Sequence, residues 1–342
     1  MPTTSKMAST STSSVLYDND PVTSLAILAQ YRKTGERRSE EIVVRGEKIL
    51  AQGYAPKLGD DLWAFLEQLA IAALDLGRLG VAKVCYDRLD GRFPDSPRVM
   101  VVQGMILEGE GDFEAARKLY ESRLAQGEAG ETDVAIRKRL ISLHLNSSPP
   151  GGKASTTPQP ELSRARGVEL LVEYLDTVFS DPEAWQQLAE VYAEEGLYAQ
   201  SLFAVSQLLL LQPHNSFHVL RHAETAYTMG DYPLAYRQFL RVLEMAGKSG
   251  LLGGKAGQSG PGRRAAFGVK MTIQKIRDGN TTSESNCPLP TEMDKVDLVV
   301  TKMILKSYSL DWEPGTLTPV ATSETSAAVK AWLSGPGPVP TA

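Results

Sequence analysis

Along Asp181 to Ala246, large apolar, small and glycine positions recur at a fixed offset of about 34 residues. Trp185 returns as Val219, Ala189 as Ala223, Gly196 as Gly230 and Tyr198 as Tyr232. Leu188, Tyr192, Ser201, Val205 and Leu208 complete the first copy, and Ala226, Ala235, Phe239 and Val242 the second. The spacing predicts a pair of antiparallel helices in each copy. Small residues at the eighth and twentieth positions let the two helices approach, and bulky ones fill the grooves beside them. Glycine at the fifteenth position ends the first helix where a left-handed backbone is needed. One such pair cannot bury its apolar face alone, so the pattern predicts neighbours.

The same grammar runs backwards through the chain. A copy starting at Trp63 places Leu66, Ala70, Gly77, Ala82 and Pro94 in these slots, and the next, from Pro97, places Met100, Gly104, Gly111, Ala116 and Tyr120. A third starts at Glu131, with Val134, Ile141 and Leu145 in its first helix. It is interrupted at Asn146 to Pro160, a Ser, Pro and Gly stretch read as an inserted loop, and resumes as a helix from about Glu161 to Phe179. There Tyr174 is large for its slot.

Ser24 to Tyr31 and Ser39 to Gln52, the latter opened by Ser39 as its cap, read as capping helices at the start. Lys248 to Gly262 is a second Gly-rich insertion. Arg264 to Arg277 and Thr291 to Tyr308 form a divergent sixth pair closing the far end. The pattern is that of the tetratricopeptide repeat and predicts an all-α, right-handed α-solenoid over residues 21–310 with capping helices at both ends. Residues 1–20 and most of 311–342 are expected to be disordered tails, with a transient helix around Ala327 to Leu333.

Charge and composition narrow the function. A net charge of −5 without a basic block argues against a nucleic-acid binder. Cys85 and Cys287 lie outside metal-ligand spacing and suggest no disulfide scaffold. There is no apolar run long enough to span a bilayer and no secretory signal. His214, His218 and His222 recur every four residues, but His222 fills a packing slot and no third ligand accompanies them, so no metal is expected. His144 has no catalytic companion. Gly254-Lys255 lacks the glycine, hydroxyl residue and preceding strand of a phosphate loop. Asn146 and Asn280 head glycosylation sequons expected to stay unmodified. No cofactor and no catalysis are expected.

What remains is recognition. In stacked pairs the first helices line the concave face, and their second, fifth, ninth and twelfth positions point into it. These slots nominate Ile71, Val101, Met105, Ala135, Arg139, Glu190, Leu220 and Tyr227 as partner-binding residues, in a groove that starts apolar and becomes acidic. Adaptors that clamp the acidic tails of heat-shock chaperones need Lys and Asn there. Glu67, Met105 and Glu190 stand in those slots instead, which disfavours the alternative of a soluble co-chaperone adaptor.

The phrase from Glu183 to Tyr192, the Leu208 to Pro213 turn and the stretch Ala223 to Gly230 resemble the second subunit of the endoplasmic reticulum (ER) membrane protein complex. Ala135 to Arg139 and Arg264 to Gly268 extend the likeness, which covers roughly Ser24 to Tyr308. The resemblance implies a peripheral, non-catalytic scaffold on the cytoplasmic face of the ER in an insertase for tail-anchored and multipass proteins. The implied partners are the insertase subunit, the small fifth subunit and a companion cytosolic subunit, with any membrane contact made through them.

Overall fold

The computed structural model describes residues 20–126, 133–146, 162–251, 261–279, 291–308 and 323–334. Among them every regular element is a helix. The chain divides into two compact units, residues 1–167 and 168–342. The proposed tail at 1–20, apart from Asp20, the loop at 146–160, apart from Asn146, and Cys287 lie outside the described residues.

The first unit opens with α1 (Pro21–Thr34) and α2 (Ser39–Ala51), joined by a short 3₁₀ turn (Ala55–Leu58) to α3 (Asp61–Asp75). Then come α4 (Leu79–Asp90), α5 (Pro97–Glu110), α6 (Phe113–Leu124) and α7 (Val134–Asn146). Consecutive helices pack as antiparallel pairs, and the first helices α3, α5 and α7 also pack side by side. Leu28, Val43, Phe65, Leu66, Leu69, Ala70 and Ala82 form a continuous core. Gly111 ends α5 in the left-handed region, its N–H bonding back to the Glu108 and Leu107 carbonyls, and Gly230 does the same later in the chain.

Two local features differ from the sequence expectation. Ser39 is not a helix cap: Arg38 occupies that position without a side-chain bond, and the Ser39 hydroxyl donates to Asp75 Oδ2 at 2.6 Å. Arg37 also donates to Asp75, so the end of α3 is a better acceptor than the start of α2, and the hydrogen bonds to Arg37 and Ser39 hold the Asp75 carboxyl below its usual range. Arg45 is fully buried between α1 and α2, bonded to Glu41 at 2.9 Å and to Ser24 at 3.2 Å. Tyr31 completes the network by donating to Glu41 at 2.8 Å.

Helix α8 (Arg164–Thr177) crosses the division between the units. Gly167, at its start, leaves room for Leu145 and His144 of α7. The oversized Tyr174 is accommodated because its ring is buried and its hydroxyl donates to Asp181 Oδ2 at 2.7 Å.

The second unit continues with α9 (Pro182–Glu194), α10 (Tyr198–Leu211), α11 (Ser216–Met229), α12 (Tyr232–Leu251), α13 (Pro261–Arg277) and α14 (Met293–Tyr308). Val219, Ala223, Ala226, Ala235, Phe239, Ala265, Val269 and Val300 lie in one core. Helix α12 is broken at Gly247, whose φ of 57° leaves the helical region next to the expected start of the second insertion at Lys248; residues 252–260 lie outside the described residues. Near the C-terminus, α15 (Ser323–Ser334) is longer than the expected short helix and is packed rather than free. Trp332 meets Phe267 of α13 at 5.4 Å between rings, and Val329 and Leu333 sit against the core. An indole and two aliphatic side chains on one helical face supply the apolar area that a solvated tail would lack.

Candidate partner-binding surfaces

In the first unit a hollow of about 580 Å³ lies between α1, α2 and the first helices α3 and α5. Ile71 sits half-buried in it, with Ala64, Glu67, Gln68 and Arg98 around it. Val101 and Met105 are half-buried on α5, and Ala135 is exposed on α7.

The charges on this face are not free, which the slot rule did not foresee. Arg98 forks onto Glu67 at 3.0 and 2.5 Å, and Arg139 pairs with Glu108, to which the buried Tyr120 hydroxyl also donates at 2.8 Å. Arg139 therefore reaches this face already paired within its own chain. Burial, reinforced by Glu108, raises the Tyr120 pKa, which keeps the phenol a donor. The spacing of 31 residues from Glu67 to Arg98 and from Glu108 to Arg139, one turn short of the repeat, was the signal in the sequence that could have revealed these pairs.

The second unit presents two adjoining hollows. One, of about 220 Å³, is lined by Gln186, Glu190, Phe217, Leu220 and Arg221. The other, about 360 Å³ and almost wholly apolar, is lined by Tyr227, Phe239, Phe267 and Met271. Glu224 and Arg264 border both, bonded to each other at 2.7 Å, so their ion pair divides the two spaces. Glu190 is exposed and accepts from Gln186 at 3.1 Å. Tyr227 is half-buried, edge-on to Tyr232 at 5.3 Å.

Leu220 requires a correction. Only 2% of it is exposed: it belongs to the core and merely closes the floor of the first hollow. Its slot points between α11 and its neighbours, where an aliphatic side chain gains more from packing than from solvent. The acidic tilt read from the slots is also reduced, because Glu67, Glu108 and Glu224 each carry an arginine partner.

The histidines are occupied separately. His218 Nε2 lies 2.8 Å from Gln212 Oε1 and His222 Nε2 3.3 Å from Ser206 Oγ, while His214 is exposed before α11. Ser206 gives its own proton to the Leu202 carbonyl at 2.7 Å, so His222 carries its hydrogen on Nε2 and leaves Nδ1 bare and buried. Burial drives its pKa down to about 4, with Arg241 adding to the effect and Asp231 opposing it. Cys85 is buried too, its thiol pushed up to about 11 by desolvation and so kept unreactive. Among the described residues no three His, Cys, Asp or Glu side chains are grouped to hold a metal, and no helix is long and apolar enough to cross a membrane.

A further cleft, of about 660 Å³, was missed by reading only first-helix slots. It lies between α8 and α10 over α9, lined by Val172, Leu175, Phe179, Trp185, Tyr192 and Phe203 among others. The available signal was Val172 and Phe203, large side chains on second helices that no packing slot claims, with Phe179 in the turn after α8.

Comparison with known proteins places this architecture. Residues 154–241 match the family described as the EMC2 TPR-like repeat domain. The chain is 31% identical to ER membrane protein complex subunit 2-B of Xenopus laevis, over 82% of this chain and 84% of that protein. The chain belongs to the ER membrane protein complex subunit 2 family. Subunit 2-A of the same organism is 33% identical over 63% of this chain and 67% of its own length. For this member of the subunit 2 family the fold is supported independently. The C-terminal part of a TPR repeat-containing protein from Cytophaga hutchinsonii superposes with a TM-score of 0.51 at 13% identity, covering 84% of this chain and 94% of that one. At that identity the likeness speaks for the tetratricopeptide fold alone.

Proposed function

We propose that this chain is a non-catalytic scaffold subunit of the ER membrane protein complex, peripheral on the cytoplasmic face of the ER. In this reading it grips cytosolic segments of the membrane subunits, the insertase subunit and the small fifth subunit among them, and pairs with a companion cytosolic subunit. By holding them it supports insertion of tail-anchored and multipass proteins. The observation that carries the reading is kinship with subunit 2 proteins over most of the chain's length. The physical chemistry agrees: first-helix faces with half-buried apolar side chains such as Ile71 and Met105, and hollows beside them, are suited to holding extended or helical segments.

The test is affinity purification of the tagged chain from detergent-solubilised membranes, followed by identification of what copurifies. Recovery of the membrane subunits of the complex is expected. Recovery of heat-shock chaperones without any membrane subunit would overturn the proposal in favour of a co-chaperone adaptor.

A further inference from the structure

The cleft between α8 and α10 has a composition unlike the rest of the surface. Phe179 and Phe203 flank Trp185 edge-on, with ring centroids 5.4 and 6.4 Å away, and the indole is fixed by donating to the Phe179 carbonyl at 2.8 Å. Trp185 forms the floor and is 7% exposed, whereas the two phenylalanine rings are 51% and 59% exposed. Large rings left that open around a rigid indole amount to an apolar concavity without a lid among the described residues.

The charge that lines it has one sign, that of Asp176. From Val168 to Leu211 the chain carries eight Asp and Glu residues and no Lys, Arg or His, but Glu183 and Glu190 face the far side of α9 and α8 itself opens with Arg164 and Arg166. Asp176 is exposed at the rim, among the lining residues. The cleft is also separate from the first-helix face. At about 100° per residue, Trp185, Leu188 and Tyr192 lie on nearly the opposite side of α9 from Gln186 and Glu190.

We infer that this cleft docks a basic amphipathic segment of a partner protein. An aromatic or branched aliphatic side chain enters between Phe179 and Phe203 onto Trp185, and an Arg or Lys side chain beside that anchor meets Asp176. Apolar burial supplies the hold, and the charge selects a basic partner over an acidic one. The inference rests on the scaffold reading only for where such a partner comes from. The site itself stands on the cleft's geometry and charge.

Two synthetic helical peptides with the same Leu and Trp face test it, one with Arg and one with Glu on the polar face. They are titrated against the full chain and against a Phe179→Ser/Phe203→Ser variant, which keeps every acidic residue and alters only exposed rings. Circular dichroism and melting of the variant establish that it is folded. The Arg peptide should bind the wild-type chain at least tenfold more tightly than the variant, and Asp176→Lys should weaken it as well. The Glu peptide should bind neither.

Equal affinity of the Arg peptide for wild type and the double-serine variant would show mere charge attraction and overturn the inference. So would binding of the Glu peptide. If the double-serine variant unfolds, Phe203→Ser alone with Asp176→Lys as its partner measurement decides between the same outcomes. These titrations do not depend on copurification, so failure of the scaffold reading and failure of this site are separately visible.

Discussion

Tyr120 closes over Gly104: a Cβ added to the glycine would overlap the phenol ring and hydroxyl. The ring fills the small eighth slot of the second repeat and then reaches Glu108, which in turn holds Arg139. Gly104→Ala should therefore cost about 1–3 kcal/mol through overpacking, read as a lowered denaturation midpoint. An unchanged midpoint would mean that α5 and α6 cross elsewhere.

Met105 and Leu220 were nominated together, and the structure separates them. Met105 is half-buried on an open face, so Met105→Glu should leave the chain folded while reducing copurification of its partners. Leu220→Glu places a carboxylate in the core and should unfold the second unit. Thermal melts of both variants, alongside purification of the first, check this.

At the N-terminal cap, Arg45→Ala should destabilise by about 3–5 kcal/mol, because Glu41 would be left beside an empty, dry space without its cation. Chemical denaturation monitored by helicity measures it. A loss below about 1 kcal/mol would place the pair in the class of surface ion pairs.

His222 makes stability depend on pH. Its folded pKa, about 4, lies below the ordinary value of 6.5, so the unfolded chain takes up the proton first. This contribution is complete above pH 6.5 and declines as the pH falls toward 4. Linkage gives a loss on the order of 2 kcal/mol between pH 7 and pH 5. His144 and His218 are shifted down by burial as well and act in the same direction. His222→Gln should flatten the dependence, as seen by comparing denaturation midpoints at the two pH values.

The helices were legible in the sequence because local rules decide them. Gly111 and Gly230 stop helices where the period demands, and Ala189 and Ala223 are buried at the crossings the repeat assigns. The surfaces were less legible because a slot rule assigns a direction without regard to what else lies there. Arg139 points toward the groove yet is bound by Glu108, and Leu220 occupies a groove slot yet is drawn into the core. The cleft at Trp185 depends on the gap between two second helices, a distance that no single-helix pattern encodes. Helix α15 was underestimated because Trp332 is one residue in a Pro and Gly-rich context, and its partner Phe267 lies far away in the chain.

The arginine pairs between neighbouring repeats give each junction of the first unit its own key. Glu67 and Arg98 use the fifth position of one repeat and the second of the next, while Glu108 and Arg139 use the twelfth and the ninth. Excising the second repeat, as consensus arrays tolerate, would set Arg139 against Leu74 and leave Glu67 without Arg98. Neither key would then fit its lock. These units share a period yet are not interchangeable parts, and their order along the chain is written into the side chains that join them.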